Sequence, residues 1–585
     1  MLGEAHPPRP RLTLNVGITG HRAAILPPEV TDQVSPVVDE VFRQLAAATV
    51  RLHSADTLLF DAAAPRLRLH TPLASGADQL AARSARASQF DVRALLPFAA
   101  EEYSDDFAKG SERAEFIREL RAADQVFSLP GSRADENDAY VLVGKAVISA
   151  ADILIAIWDG GAGNGPGGTA HVVDQALAAG VPVIHVSVNR NGGESGGLRL
   201  LTGGEIGEPD VQPFGSAESF DALVRDTLLP HTDDEQRHIA DFYHETTRRH
   251  VWRVEYPLLL AFLGVKKLAP GFWRETPPRH NPERATRPEA AAYDWANSLA
   301  IRYAQMFRSG HVANYVLSAS AVLLALFGLL VPDIKFFLVL AELGTIGLLF
   351  LNTRAGTRGD WHRRWLQYRH LAESLRPLVY LKATGLLSTP FRSDFVQGIA
   401  HREAGADWTR WYAAAIWREM ENPVGSIGDL EIKWLVQQFT DHEIVPQAQY
   451  HRVNAARMKH LDHALHDVGN FLIGAVIAVC VIYLGGYLLA HDLAKSLTNP
   501  FIFLTAGLPA IGAAVFGLRG HGEHLLAASR SANSAVALEA AGARLAQVTD
   551  PEDLARELDH SASIMLADLN EWTIAYRERS LEIPA

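Results

Sequence analysis

The chain has 585 residues, enough for several domains at roughly 100–200 residues each. Its 54 Lys and Arg against 67 Asp and Glu give a formal net charge of −13, which argues against a general nucleic-acid binder because such proteins neutralise phosphates with a basic surface. The single cysteine, Cys480, excludes a disulfide-stapled secreted fold.

After a tail of residues 1–10, residues 11–200 alternate short apolar runs with helical patterns. The runs predict strands at Leu12–Val16, Leu67–Leu69, Val92–Leu96, Ile153–Trp158 and Val181–Val186. Helices are predicted between them, at Val30–Ala48, Ala77–Ser88, Arg113–Ala123, Ala139–Ala150 and Thr169–Ala179. This alternation predicts a Rossmann-like, doubly wound α/β domain that binds ligands beyond the carboxyl ends of its strands.

Polar and glycine-rich motifs follow several of these strands, and we take them as a candidate ligand site. Glycines let a backbone approach a phosphate, helix N-termini attract anions, and hydroxyl and guanidinium groups add donors. The candidate residues are Gly17, Thr19, Gly20, His21, Arg22, Ser75, Gly76, Asp78, Asp159, Gly167, Gly168 and Thr169.

The expected ligand is an anionic nucleotide derivative. Thr19, Ser75 and Thr169 are expected to contact phosphate and Arg22 to pair with it, while Asp78 or Asp159 takes a ribose hydroxyl or a base. The alternative is a set of turn and cap glycines without a ligand. No resident cofactor and no metal are predicted.

Residues 201–290 are predicted to be a linker with accessory helices. Within them Tyr256–Val265 is apolar but too short to span a membrane, so it is either core or an interfacial segment. Residues 353–467 are predicted to be a helical insert, and the sequence suggests no role for residues 377–450.

Four apolar runs predict transmembrane helices in two hairpins, one within residues 291–352 and one within 468–519. The runs are Val312–Val331, Ile334–Leu351, Phe471–Ala490 and Pro500–Leu518. At 1.5 Å per residue each reaches roughly 27–30 Å, about the hydrocarbon thickness of a bilayer. The alternative is buried core helices of a large soluble domain, which are usually shorter and more polar.

Basic residues surround the predicted hairpins asymmetrically. Arginines and lysines flank the outer ends of all four spans, whereas the two connecting turns carry only Lys335 and Lys495. The positive-inside rule therefore places the N-terminus, the insert and the C-terminal residues 520–585 in the cytoplasm. The first residues lack the apolar run of a signal peptide, in agreement with that orientation.

Glu342 is the only acidic residue well inside a predicted span, where a charge is costly unless it is wet, paired or protonated. One reading is a protonated Glu342 that bonds Ser318 or Ser320. The other is a ring of Glu342 side chains around an aqueous, cation-preferring path in a homo-oligomer. His460, His463 and His466 precede the third span at a spacing of three residues. On a helix this spacing does not direct the three rings to one tetrahedral point, so it favours a polar helix face over a metal site.

Two groups of motifs resemble known families. GITGHR, LASGAD, ADILIAIWDG and the GGT that opens a helix are similar to the SLOG superfamily, Rossmann-like domains related to cytokinin-activating phosphoribohydrolases. The hairpins and RRWLQYRHLAESLR resemble SLATT domains, which are membrane effectors of bacterial conflict systems. The resemblance implies a sensor of a nucleotide-derived ligand that gates an oligomeric pore in the bacterial inner membrane, plausibly for anti-phage defence.

The chain departs from the phosphoribohydrolase pattern PGGxGTxxE at its catalytic residue. Pro166-Gly-Gly-Thr169 is followed by no Glu in the first turns of the helix, and Asp174 is the nearest carboxylate after it. This favours binding over hydrolysis. Two alternatives stay open: a membrane-anchored nucleotide or N-glycoside hydrolase, and a small-solute transporter with a regulatory head. The few charges within the spans disfavour the transporter.

Overall fold

The computed structural model describes residues 6–163, 165–190, 193–203, 209–246, 253–274, 286–388 and 407–576. These residues form an N-terminal α/β domain with a mostly parallel sheet, followed by a helical region that contains four long apolar helices.

Nine strands of the described chain form one sheet. In chain order they are β1 Thr13–Gly20, β2 Arg66–Thr71, β3 Asp91–Leu96, β4 Gln125–Ser128, β5 Ile153–Trp158, β6 Val183–Ser187, β7 Leu198–Gly203, β8 Pro209–Pro213 and β9 Gly425–Ser426. Their order across the sheet is β8-β7-β6-β5-β1-β2-β3-β4-β9, and only β7 and β8 are antiparallel to their neighbours. The central strands are buried, as parallel strands usually are.

The strand order reverses at β1, which pairs in parallel with β2 on one side and with β5 on the other. The chain first builds the sheet outward through β2, β3 and β4, and then returns to add β5 and β6 on the opposite side. Neighbouring loops diverge at such a reversal and leave a crevice beyond the carboxyl ends of the strands.

The described helices of the α/β domain connect and cover these strands. They are α1 Pro28–Ala55, α2 Ala77–Ala87, α3 Ala100–Tyr103, α4 Ser111–Arg121, α5 Glu136–Ala150, α6 Thr169–Ala178, α7 Ala217–Leu228 and α8 Asp233–Tyr243. Helix α1 packs on α2 and α7, whereas α5 packs on α6 and on β1.

All five strands predicted from the sequence are present. The sheet nevertheless extends past residue 200, where the predicted domain boundary lay, because β7 turns back antiparallel to β6 and β8 pairs with β7. The sequence of residues 192–207 is typical of a glycine-rich linker or edge loop, but its described part contains the strand β7. At the other edge β9, from the insert, extends β4.

The helical region begins with a short helix and continues through long ones. Its described helices are α9 Glu255–Phe262, α10 Pro288–Phe327, α11 Lys335–Arg358, α12 Trp361–Leu375, α13 Leu378–Ala383, α14 Asp407–Glu419, α15 Asp429–Phe439, α16 Val445–Leu489, α17 His491–Ser496, α18 Thr498–Gly522, α19 His524–Leu545 and α20 Pro551–Tyr576.

The four helices α10, α11, α16 and α18 are each long and apolar enough to cross a membrane, which supports a membrane-associated protein. Helices α10 and α16 have 40 and 45 residues. Those lengths correspond to about 60 Å and 68 Å, well beyond a bilayer core. Each is thus one continuous helix with an apolar half and a polar half.

Polar contacts join neighbouring apolar helices near the ends of their apolar runs. Between α10 and α11, Asn352 Nδ2 donates to Asn314 Oδ1 over 2.6 Å and to the Gly310 carbonyl over 2.9 Å. Between α16 and α18, Arg519 makes two 3.0 Å contacts with the buried Asp462 carboxylate. Such interhelical bonds fix which faces of apolar helices meet.

The insert is part of the core of the α/β domain. Helix α14 packs on β1, α8, α10 and α12. At its C-terminus, the fully buried Arg68 of β2 donates to the carbonyl oxygens of Arg418 and Met420 over 2.9 and 3.0 Å. A guanidinium at this position satisfies carbonyls that have no partner within the helix and interacts favourably with its dipole.

Candidate ligand-binding site

A cavity of about 400 Å³ opens at the strand-order reversal, beyond the carboxyl ends of β1 and β5. Residues from β1, from the loop after β5, and from helices α2, α5 and α6 line it. Its size and position are those expected for a small-molecule site in an open α/β sheet.

The loop between β5 and α6 forms one wall. Gly160 and Gly167 both have a φ of +79°, a conformation that glycine adopts readily. A Cβ atom at Gly167 would lie 3.0 Å from the Cβ of Tyr140, so the loop runs close against α5. Thr169 opens α6 behind this loop, and the first N–H groups of a helix have no acceptor within it. This wall therefore offers backbone donors to an anion.

A second wall holds a His–Asp–Arg cluster. The Nε2 atom of His21 lies 3.2 Å from both the backbone N and Oδ1 of Asp159, and Arg190 Nε lies 2.6 Å from Asp159 Oδ2. Burial lowers the pKa of His21, although Asp159 acts in the opposite direction. Burial opposes ionisation of Asp159, but the Gly161 N–H, His21 and Arg190 together hold its pKa below the usual range.

Asp78 is the buried carboxyl of the cavity. It lies in the first turn of α2, it is 5% exposed, and its Oδ2 accepts the Ala74 N–H over 3.2 Å. Burial raises the pKa of Asp78 to about 7, although that bond and Arg22 act in the opposite direction. Near neutral pH this carboxyl therefore changes charge readily.

Arg22 provides an exposed cation at the rim. Its guanidinium lies 5.2 Å from the centre of the Tyr140 ring on α5, within cation–π range. The Tyr140 hydroxyl donates to Asp106 and also lies 3.1 Å from Glu136 Oε1. Because Asp106 also pairs with Arg133 at 2.5 Å, a polar network fixes the ring on which Arg22 rests.

Nine of the twelve residues predicted for the site line this cavity: Thr19, Gly20, His21, Arg22, Asp78, Asp159, Gly167, Gly168 and Thr169. The other three lie beside it. A Cβ at Gly17 would lie 2.9 Å from Val147 Cγ1, so Gly17 allows α5 to pack on β1. Ser75 accepts the Ala23 N–H with its carbonyl, and Gly76 brings α2 against the same loop. Ser75 and Gly76 line a smaller neighbouring cavity.

Two further residues, Arg190 and Tyr140, line the cavity but are absent from the motifs found in the sequence. Arg190 follows the carboxyl end of β6. Ligand residues in such sheets follow strand ends, so the criterion that identified the other loops could also have identified this one. Tyr140 lies within α5, and the sequence pattern of that helix gives no sign that this side chain faces a ligand site. Asp174, which the sequence offered as a substitute for a catalytic Glu, is exposed and does not line the cavity.

Glu342 is half-buried on α11 and makes no hydrogen bond or ion pair with any described residue, and the Ser320 hydroxyl donates to the Val316 carbonyl over 2.7 Å instead. The described residues also contain no group of three or more His, Cys, Asp or Glu side chains that could hold a metal ion.

Comparison with known proteins adds no relative. No protein-family model matches the chain, and neither the curated proteins nor the solved structures contain a significant match.

Proposed function

We propose that the chain is a membrane effector whose Rossmann-like, SLOG-like domain senses a nucleotide-derived ligand and gates a pore formed by two SLATT-like transmembrane hairpins. The observation that carries this proposal is the cavity at the strand-order reversal, in a chain that also has four apolar helices. A plausible setting is anti-phage defence at the bacterial inner membrane, with both termini in the cytoplasm.

The cavity suggests how a nucleotide would be held. The α6 N-terminus, Thr169 and Arg22 suit a phosphate, because they combine backbone donors, a hydroxyl and a cation. Asp159 suits a ribose hydroxyl, since its ionised carboxylate is a strong acceptor. Arg190 neutralises Asp159 and would reduce its repulsion of the phosphate.

Calorimetric titration of the full-length chain with a nucleotide panel tests this site. We expect one anionic nucleotide to bind, and we expect Arg22→Ala and Gly168→Asp each to weaken binding at least about tenfold, since a charge-assisted bond is worth about 1.5–3 kcal/mol. Arg43→Ala, an exposed arginine on α1 outside the cavity, is the matched control. If no nucleotide binds, or if the three variants bind alike, the site is wrong.

Helix α5 connects the cavity to the helical region. One face of α5 lines the cavity with Tyr140 and Gly144. On α5 also, Lys145 Nζ lies 2.5 Å from Glu552 of α20, and Ser149 Oγ donates to the Leu386 carbonyl over 2.8 Å. Helix α20 in turn packs on α12, α13 and α19. A ligand that shifted α5 would therefore act directly on helices next to the apolar ones.

The pore requires several copies of the chain, because four helices are too few to enclose a channel. In the single chain, the apolar runs of α11 and α16 are largely exposed, so lipid or another protomer must cover them. We propose that Glu342 lines the path in the assembly. To shift a 1:99 equilibrium to 99:1, the ligand must prefer the open state by about 10⁴.

Ion flux from liposomes that contain the purified protein tests the pore. The nucleotide identified by calorimetry should produce a cation leak that Glu342→Gln abolishes or makes non-selective. Asp333→Asn, in the turn between α10 and α11, is the control and should leave selectivity unchanged. A leak with the same ion preference in Glu342→Gln would show that the ion path does not pass Glu342. If no nucleotide produced a leak, the apolar helices would serve only as a membrane anchor.

Epitope tags test the proposed orientation independently. Tags at position 3 and after Asp360 should be protected in intact cells, whereas a tag at Lys495 should be accessible from outside the inner membrane. An accessible N-terminal tag would contradict a cytosolic sensor.

Asp78 favours one second candidate, an N-glycoside or nucleotide hydrolase anchored by the hairpins. A carboxyl with a pKa of about 7 in a ligand cavity can serve as a general acid or base. Release of a free base or a ribose phosphate during the titration, lost in Asp78→Asn while binding persists, would establish this activity. Intact nucleotide after prolonged incubation would exclude it for that compound.

A further inference from the structure

A second and larger cavity, of about 630 Å³, lies between the polar halves of the long helices α10 and α16. Residues of α9, α10, α12 and α16 line it, together with the loop after α9. On α10 its lining ends at Arg308, just before the apolar run that begins at Val312. On α16 its lining ends at Met458, about 20 Å of helix before the apolar run that begins at Phe471. The α10 wall of the cavity thus reaches the start of an apolar run, where a membrane interface would lie.

Unpaired cations converge on this cavity. Five basic residues that line it form no ion pair with any described residue: Lys266, Lys267, Arg274, Arg308 and Arg457. The only carboxylate among the lining residues, Glu373, already pairs with Arg369 at 2.6 Å and with Arg376 at 2.9 Å. An anion that entered would therefore meet cations whose charge nothing in the described chain neutralises.

An apolar surface borders the same cavity. Leu258 and Phe262 of α9 are 44% and 86% exposed, and Leu268 and Trp273 in the following loop are 42% and 45% exposed. Helix α9 has only eight residues, too few to span a membrane. Large apolar side chains that project beside a basic cleft are typical of segments lying in the headgroup region.

Hydrogen bonds hold this apolar segment in place. The Tyr256 N–H donates to Ser309 Oγ over 3.1 Å, and Gln305 Nε2 donates to the Arg253 carbonyl over 2.6 Å. The Arg308 guanidinium lies over the rings of Tyr256 and Trp365, at 5.5 and 4.9 Å from their centres. Helix α9 is therefore fixed to α10 next to the cavity, with Leu258 and Phe262 exposed and Leu260 packed against Leu461 and Leu465 of α16.

We propose that this cavity binds the phosphate headgroup of an anionic phospholipid, with the acyl chains lying along α9 and the apolar run of α10. A basic pocket between membrane helices supplies the charge that such a headgroup needs, and the adjoining apolar surface supplies the contact that its chains need. Because α10 and α16 belong to different pairs of apolar helices, a bound lipid bridges the two pairs.

Lipid retention by the full-length protein tests the proposal. The protein is reconstituted in nanodiscs of phosphatidylcholine and phosphatidylglycerol, extracted in mild detergent, and examined by native mass spectrometry. Arg457→Gln should lower phosphatidylglycerol retention about fivefold, since a basic residue near an anionic lipid surface is worth about 1 kcal/mol. Lys459→Gln, two residues along the same helix and outside the cavity, should not change it.

A second variant distinguishes a loss of lipid binding from a folding defect in Arg457→Gln. Lys266 and Lys267 are exposed in the loop, so their double substitution by Gln should leave the fold intact and lower retention by more than the single change. Equal phosphatidylglycerol retention in all variants would overturn the proposal, as would equal retention of phosphatidylcholine. Displacement of the lipid by glycerol phosphate at equal concentration would identify a soluble phosphate site instead.

Discussion

The Lys382 Nζ atom lies 3.3 Å from the Trp417 carbonyl oxygen and 4.5 Å from the centre of that residue's indole ring. Lys382 is 7% exposed, and it joins α13 to the end of α14, where Arg68 of the sheet also binds. Burial, reinforced by Arg68, lowers the pKa of Lys382 from 10.5 to about 7. This contact within the insert, next to the position where Arg68 binds α14, thus involves an amine that is largely neutral above pH 7.

Lys382 should make stability rise with pH between about 7 and 10.5. In that window the unfolded chain holds the proton and the folded chain does not, so each pH unit adds up to about 1.4 kcal/mol to the free energy of unfolding. Below pH 7 both states are protonated and the effect vanishes. Denaturant unfolding in detergent at pH 7, 8 and 9 measures the free energy of unfolding of Lys382→Met and of the wild type. That free energy should rise less steeply with pH in Lys382→Met than in the wild type. Lys433→Met, at an exposed site on α15, should keep the wild-type slope.

Glu245 should be essential for joining the α/β domain to the first apolar helices. This buried carboxylate accepts from Arg302 over 3.2 Å and from Tyr303 over 2.6 Å on α10, and from Arg364 over 2.7 Å and Tyr368 over 3.0 Å on α12. Glu245→Gln removes the buried negative charge that Arg302 and Arg364 contact, so it should lower the free energy of unfolding by about 3–5 kcal/mol.

The control for Glu245 is an exposed ion pair. Asp234 lies 3.2 Å from Arg237 on α8, and their side chains are 63% and 70% exposed. Asp234→Asn should change the free energy of unfolding by less than about 1 kcal/mol. Equal effects of the two substitutions in urea unfolding would contradict a structural role for the Glu245 cluster.

Alanine substitutions at Gly76 and Gly110 distinguish the cost of a steric clash from the cost of backbone strain. Both precede a helix and both have a positive φ, +94° and +110°. A Cβ at Gly76 would lie 2.5 Å from the Ala23 backbone N, whereas a Cβ at Gly110 has nothing within 4 Å. Gly110→Ala should therefore cost about 1–3 kcal/mol of strain alone. Gly76→Ala should cost about 1–3 kcal/mol more and weaken nucleotide binding, because the loop of His21 and Arg22 must move. Unfolding and calorimetry of both variants measure the difference.

The sequence predicted the strands and most of the cavity because both follow from local rules. Apolar runs such as Ile153–Trp158 identify buried parallel strands, and such strands place their carboxyl ends at one edge of the sheet. The position of the insert could not be predicted in this way. Arg68 lies in a strand that alternates basic and apolar residues, a pattern typical of an exposed face. It is buried only because α14, some 350 residues later, ends against it.

Asp78 should make stability fall as the pH rises from about 4 to 7. Its pKa is 3.8 in the unfolded chain and about 7 in the folded one, so in that window the folded state holds the extra proton and each pH unit costs up to about 1.4 kcal/mol. Asp78→Asn removes the buried charge and keeps an oxygen that can accept the Ala74 N–H. The variant should therefore be more stable than the wild type at pH 8 and about equally stable at pH 4. Asp39→Asn, at an exposed site on α1, should follow the wild type throughout. Loss of stability in Asp78→Asn at pH 8 would show that the ionised carboxylate itself stabilises the fold. The ligand cavity would then contain a permanent negative charge at Asp78.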